Sequence, residues 1–272
     1  MPKLVEHSCD WLTVTSADQR VITALGAVWW PVMMAALEDG GIITASKWLG
    51  YEGQVVNNQF YGSRPDGNVM RLTGVYAKRF AQPVLKTGAH CTRIDFQVTE
   101  QRDEYEPLYG ETQRQSAFTN RATLMGRHWP KLKRRDEDGD GDTINTGARA
   151  SDKFGRLYDK QKESGDDLYV RCWRWEVEYK GPVAIHYAAQ LRTADDAIGL
   201  ARAIVYNQYS EWGFCPPFAG NVTSELFVSS PVESDKAKTI NWLSIQVRPS
   251  VERLIENDVS RETLLSILGL LV

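Results

Sequence analysis

Apolar and polar residues alternate along much of this chain, and the period of the alternation changes at definite places. Residues 9–15 and 91–98 follow the two-residue period of strands. Between 17 and 39, Ile22, Leu25, Val28, Trp29, Met33 and Leu37 recur at helical spacing, and Gly40-Gly41 ends the run. Strand patterns return at 51–61 and 69–80. A second helical pattern covers 109–126, and strands follow at 143–148, 154–161 and 168–180. The last two, GRLYDKQ and YVRCWRWEVEYK, flank ESGDD, which is turn chemistry. From 182 onward the pattern is helical: 192–207, then, past Pro216-Pro217, 235–246, 248–257 and 260–271. Ser260 with Glu262 and Thr263 reads as the capping region of the last of these. The pattern predicts an α+β fold with an antiparallel-rich sheet, helices on one face and a helical C-terminal part. The expected division is 1–181 and 182–272.

One unit is predicted to occur twice, over about 9–80 and 91–180. Asp10 and Asp95, Gly62 and Gly147, and Arg71 and Arg156 all lie 85 positions apart, in similar local contexts. A duplicated strand-helix-strand-strand unit accounts for this, and two copies are too few for a solenoid. In that register Thr73 of the first copy stands where Tyr158 stands in the second.

Composition adds limits. Among 272 residues, 42% are hydrophobic and 25% charged, as in soluble globular proteins. No apolar run is expected to reach the ~18 residues of a membrane helix, and MPKLVEHSCDW has no signal-peptide core. Cys9, Cys91, Cys172 and Cys215 form no CxxC pair and read as reduced thiols of a cytoplasmic protein. The four histidines are scattered, which argues against zinc. A net charge of −3 argues against a non-specific nucleic-acid coat, but leaves room for a local basic patch. Arg127, His128, Lys131, Lys133, Arg134 and Arg135 form such a patch around Trp129. Asp136, Asp138 and Asp140 then open like an EF-hand calcium loop. Gly147 occupies its twelfth position and Pro130 breaks the entering helix, so an acidic loop is expected instead.

The chain lacks GxGxxG after a strand, a P-loop, a GxSxG elbow and HExxH. What remains is a tyrosine, cations and acids on strands. Tyr158 lies between Arg156 and Lys160, and Glu176 and Glu178 share one face of the following strand. If strands 91–98 and 168–180 are neighbours, Asp95 joins these acids, and oxygen ligands favour Mg²⁺ or Mn²⁺. A tyrosine hydroxyl, with a free pKa near ~10, needs a metal or Lys160 beside it to attack. Arg149 and Arg156 could hold phosphate oxygens. The plainer alternative is a pair of intra-sheet ion pairs, Asp95 with Arg93 and Glu176 with Arg174.

TRIDFQVT, GARASDKFGRLYDKQKES and VRCWRWEVEYKG, taken together, resemble the Rep_trans-type replication initiation proteins of rolling-circle plasmids, filamentous phages and integrative elements. YGSRPDGNVMRLTGVYAKRF and TINWLSIQVRPSVERL fit the same family, so the resemblance spans nearly the whole chain. It implies metal-dependent nicking and joining of one DNA strand at an origin, through a 5′-phosphotyrosine and a free 3′-OH. Tyr158 would be the nucleophile, with Arg156 and Lys160 beside it. Asp95 and Glu176, with Glu178, would hold Mg²⁺ or Mn²⁺. Arg149, Lys131, Lys133, Arg134 and Arg135 would contact DNA. The implied partner is double-stranded origin DNA with a single-stranded or cruciform nick site, with a host helicase and polymerase; a homodimer is left open. A conjugative relaxase and a non-catalytic DNA-binding regulator on the same scaffold are the alternatives.

Overall fold

A computed structural model describes residues 3–102, 132–137, 141–214 and 216–218, and a few positions between 255 and 263; residues 132–137 and 141–142 are described by backbone alone. The chain divides into two compact units, Met1–Phe227 and Val228–Val272.

The first unit is one ten-stranded sheet with helices. In chain order its elements are β1 (Lys3–Ser16), α1 (Gln19–Glu38), β2 (Thr44–Trp48), β3 (Tyr51–Val56), β4 (Gln59–Arg64), β5 (Gly67–Thr73) and α2 (Gly74–Lys86). Then follow β6 (His90–Gln101), β7 (Leu132–Glu137), β8 (Gly141–Thr146), β9 (Lys153–Asp159) and α3 (Lys160–Ser164). The series ends with β10 (Cys172–Lys180), α4 (Gly181–Thr193) and α5 (Ala197–Glu211). The strand order is β2-β3-β4-β5-β1-β6-β10-β9-β8-β7, and every paired neighbour is antiparallel. The α+β reading with an antiparallel sheet therefore holds.

Period-two patterning decides which face each residue joins. On β6 and β10, Ile94, Phe96, Val98, Trp173, Trp175, Val177 and Tyr179 enter the main core with residues of the helices. Helices α2, α4 and α5 lie against β1 and β6 from that side. The alternate residues, Asp95, Gln97, Thr99, Arg174, Glu176 and Glu178, are also buried, on the other face. Burial of a run of charged groups is costly unless each is paired, so that second face must satisfy itself.

Several boundaries differ from the sequence pattern. The strand expected at 69–80 ends at Thr73, because Gly74 turns the chain at φ 57° and α2 begins. The run at 51–61 is a hairpin, β3–β4, turning at Asn57 and Asn58 with φ 42° and 64°. The strand expected at 154–161 stops at Asp159, whose side chain caps α3 by accepting from Lys162 N at 3.0 Å. The helix expected at 192–207 is two helices, α4 and α5, broken at Ala194–Asp196. Asp136 does not open a calcium loop between helices; it pairs with Asp142 in the β7–β8 hairpin. The expected helix at 109–126 lies outside the described residues.

The expected boundary at 181 also moves. Helices α4 and α5 cover the central strands, so they belong to the first compact unit. Contrary to the expectation of no such run, α1 is long and apolar enough to cross a membrane by length and composition. In the fold it buries Leu25, Trp29, Val32, Ala35 and Ala36. Within the second unit, Ile255 and Glu256 are helical, and Thr263 N donates to Ser260 Oγ at 3.1 Å, the expected cap.

The sheet has the same order on either side of its centre: β1-β5-β4-β3-β2 and β6-β10-β9-β8-β7. Gly74 after β5 and Gly181 after β10 make the same left-handed entry into a helix, at φ 57° and 54°. Counting back from these glycines, Arg174 and Gly67 are equivalent; Arg174 pairs with Tyr158 and Gly67 with Arg64. Tyr158 thus corresponds to Arg64 and not to Thr73. The fixed offset of 85 misplaced it because the connections in the two halves differ in length.

Candidate active site

Cross-strand rows assemble the site on the face away from the helices. One row runs Tyr158, Arg174, Thr99 and Glu6 across β9, β10, β6 and β1. The next runs Arg156, Glu176, Gln97 and Ser8, and a third brings Glu178, Asp95 and Trp11 into line. Asp95 and Glu178 are therefore direct cross-strand neighbours, and Glu176 lies diagonally from Asp95, so the three expected acids share one part of this face. Directly opposed residues on a sheet have Cβ atoms about 5 Å apart.

The Tyr158 hydroxyl donates to Glu176 Oε2 at 3.2 Å. Arg156 Nη2 donates to the other oxygen, Oε1. Burial raises the Tyr158 pKa well above that of a free tyrosine; the Glu176 charge adds to this, and Arg174 and Arg156 offset part of it. The hydroxyl is thus held neutral, keeping its proton and donating it in a hydrogen bond to a carboxylate. Helix α5 supports this pair from the opposite face, with Tyr209 Oη 2.8 Å from Arg156 O and 3.1 Å from Glu176 O.

The acids are compensated by arginines. Arg93 meets Asp95 Oδ2 at 2.5 Å and Glu178 Oε2 at 2.8 Å, and Lys180 Nζ meets Glu178 Oε1 at 2.6 Å. Arg174 does not pair with Glu176, as the plainer alternative supposed; it donates to Glu6 Oε2 at 2.5 Å and Thr99 Oγ1 at 2.9 Å. Burial lifts Asp95 to about 7; Arg93 opposes this, while Glu176 and Glu178 push further. Asp10, in a bulge of β1, is raised to about 6 by burial and then by Glu176.

Carboxylate oxygens are the kind of donor that Mg²⁺ and Mn²⁺ take. Glu178 Oε2 is buried and, beyond its ion pair with Arg93, makes no hydrogen bond; Asp95 stands opposite. As the side chains stand, no three acids among the described residues converge on one point, since each is turned toward a cation.

The other expected residues fall in different places. Lys160 opens α3 and is not on the strand; its Nζ is 2.5 Å from Glu163 Oε2 and 5.3 Å from the Tyr169 ring centre. Arg149 is exposed in the turn before β9, where its carbonyl accepts from Lys180 Nζ at 2.6 Å. Arg135 aligns with Thr143 and Tyr158, and Lys133 with Asn145 and Arg156, so they fall in the tyrosine's row and the Arg156 row; Arg134 alternates with them. Lys131 lies outside the described residues. The plainer sequence alternative paired Asp95 with Arg93 as the structure does, but gave Glu176 to Arg174 where Arg156 meets it, and missed Glu6 as the partner of Arg174. The RxD and RxE spacing was the signal for Arg93 and Arg174, but it could not say which acid each arginine meets.

The replication initiation factor family, Rep_trans, matches residues 89–268, which covers β6 to β10 with Asp95, Tyr158, Glu176 and Glu178. This chain belongs to that family. Its fold is similar to that of a solved structure described as a rolling circle replication initiator protein from Geobacillus stearothermophilus. The TM-score is 0.54 and the identity 17%, over 89% of this chain and 96% of that one. A search of the curated proteins gave no match.

Proposed function

We propose that this replication initiator nicks and rejoins one strand of origin DNA, with Tyr158 as nucleophile. The observation that carries the reading is the Tyr158 hydroxyl donating to Glu176 between two arginines, in a site lined by Asp95 and Glu178. Membership of the family and the rolling-circle neighbour support it.

The chemistry is a transesterification. Tyr158 Oη attacks the scissile phosphorus, its O–P bond forms, and the bond to the 3′ oxygen breaks. Because burial and the Glu176 charge keep the tyrosine protonated, its proton passes to Glu176 Oε2 as the new bond forms. Glu176 then returns a proton to the departing 3′ oxygen, leaving a 5′-phosphotyrosine and a free 3′-OH that a polymerase could extend. Arg156 and Arg174, which flank Tyr158, offset charge on the phosphate. Asp95, Glu178 and Glu176 would hold Mg²⁺ or Mn²⁺, which when bound polarises the phosphodiester. Lys133 and Arg135 would meet the flanking DNA backbone.

The test uses the whole protein with Mn²⁺ and supercoiled plasmid carrying the origin of the parent element. Wild type should yield nicked circles and a covalent protein–DNA adduct, whereas Tyr158→Phe should bind the DNA and yield neither. An adduct surviving in Tyr158→Phe would show that another group attacks. Binding by wild type without nicking would favour a non-catalytic regulator.

A further inference from the structure

The face that carries Tyr158 continues across β1 onto the first half of the sheet, where its chemistry changes. Around Tyr158 each arginine has a carboxylate: Arg156 has Glu176, Arg93 has Asp95 and Glu178, and Arg174 has Glu6. Arg71 on β5 has none among the described residues. Its Nη2 donates to Asn58 O at 3.0 Å, and its Nε is buried without a partner. Burial lowers its pKa, with no acid among the described residues to compensate.

Its guanidinium lies between two tryptophans, 4.8 Å from the Trp48 ring centre and 5.6 Å from that of Trp11. Trp11 stands directly opposite Asp95, and Arg93 lies 4.2 Å from its ring centre, so the platform is continuous with the acids beside Tyr158. Phe60, the cross-strand partner of Arg71, backs Trp48 edge-on at 5.7 Å. Both tryptophans remain partly open to solvent.

We propose that Trp11, Arg71 and Trp48 form a platform for a single-stranded DNA segment leading to or from the Tyr158 site, an assignment that rests on the nicking reading above. A half-buried cation without a counter-anion attracts one, and a phosphodiester supplies it. The indoles offer stacking surfaces that accept any base. A duplex hides its base faces within its own stack, so only an unpaired strand can use both the arginine and the rings.

The test is fluorescence anisotropy of a labelled oligothymidylate with the whole protein in EDTA, over a range of NaCl, beside a random-sequence duplex. Arg71→Gln should weaken oligothymidylate binding about tenfold, as expected for a lost charged hydrogen bond. The slope of log affinity against log salt should fall by about 0.7, one single-strand phosphate contact. Trp48→Leu should weaken it at least about fivefold. Both losses should be smaller on the duplex. Wild-type affinity and slope in Arg71→Gln, or equal losses on duplex and single strand, overturn the platform. If circular dichroism shows that Arg71→Gln does not fold, Trp48→Leu on the outer hairpin decides in the same way. The two readings fail separately. An adduct at Tyr158 with unchanged Arg71→Gln binding removes the platform alone. Arg71-dependent binding without any adduct removes the nicking alone.

Discussion

Asp95 carries the plainest titration signature in the site. It is 1% exposed, and burial with the Glu176 and Glu178 charges raises it to about 7 despite Arg93. In the unfolded chain an aspartate titrates near ~3.9. Between those values the folded protein holds a proton that the unfolded chain has released. The stability from that proton is present below about 4 and lost as pH rises through about 7. Asp95→Asn lacks this titration. In EDTA, the melting temperature of wild type relative to Asp95→Asn should therefore fall steadily from pH 4.5 to pH 8. A constant difference across that range would show that Asp95 titrates normally. The reason the acid tolerates its place is also local: Arg93 reaches both Asp95 and Glu178, so one cation serves two neighbouring carboxylates.

At the scale of elements, β9 is held by what packs behind it. Gly155 precedes Arg156, and a Cβ there would lie 2.4 Å from Trp212 Cζ3, at the end of α5. Alanine would ordinarily be the better strand residue. Here it must push the indole or the strand aside, so Gly155→Ala should lower unfolding stability by about 1–3 kcal/mol in urea titration. Wild-type stability in that variant would mean that α5 does not press on β9. Much of β9 and β10 was visible in their alternation: Trp173, Trp175 and Val177 face the helices, and Arg174, Glu176 and Glu178 face away. The ends of elements were less visible. Lys160 continues the strand-like pattern of GRLYDKQ but starts a helix, because Asp159 caps the turn and nothing in a two-residue period announces that.

At the scale of the molecule, the sheet needs α4 and α5. Val183, Tyr187, Leu191, Ile204, Val205 and Tyr209 are buried in the same core as β6 and β10. A fragment ending at Phe227 keeps the whole first unit, whereas one ending at Gly181 exposes the helical face of the central strands. The longer fragment should be monodisperse with a cooperative melt, and the shorter should aggregate or lack one, as read by gel filtration and circular dichroism. Equal folding of both would return the boundary to 181. The chain alone was enough to place Tyr158, Glu176 and Glu178 on strands and to put the two acids on one face, because side-chain direction along a strand depends only on counting by two. It also carried the family motifs. Neighbourhood between strands was beyond it. The pairing of β6 with β10 that brings Asp95 to Glu178, the choice of Glu6 as the partner of Arg174, and the position of Arg71 between two tryptophans all depend on sheet order. Sheet order is set by how connections of unequal length close over a shared core, so a fixed sequence offset matched Tyr158 to Thr73 where the folded register matches it to Arg64.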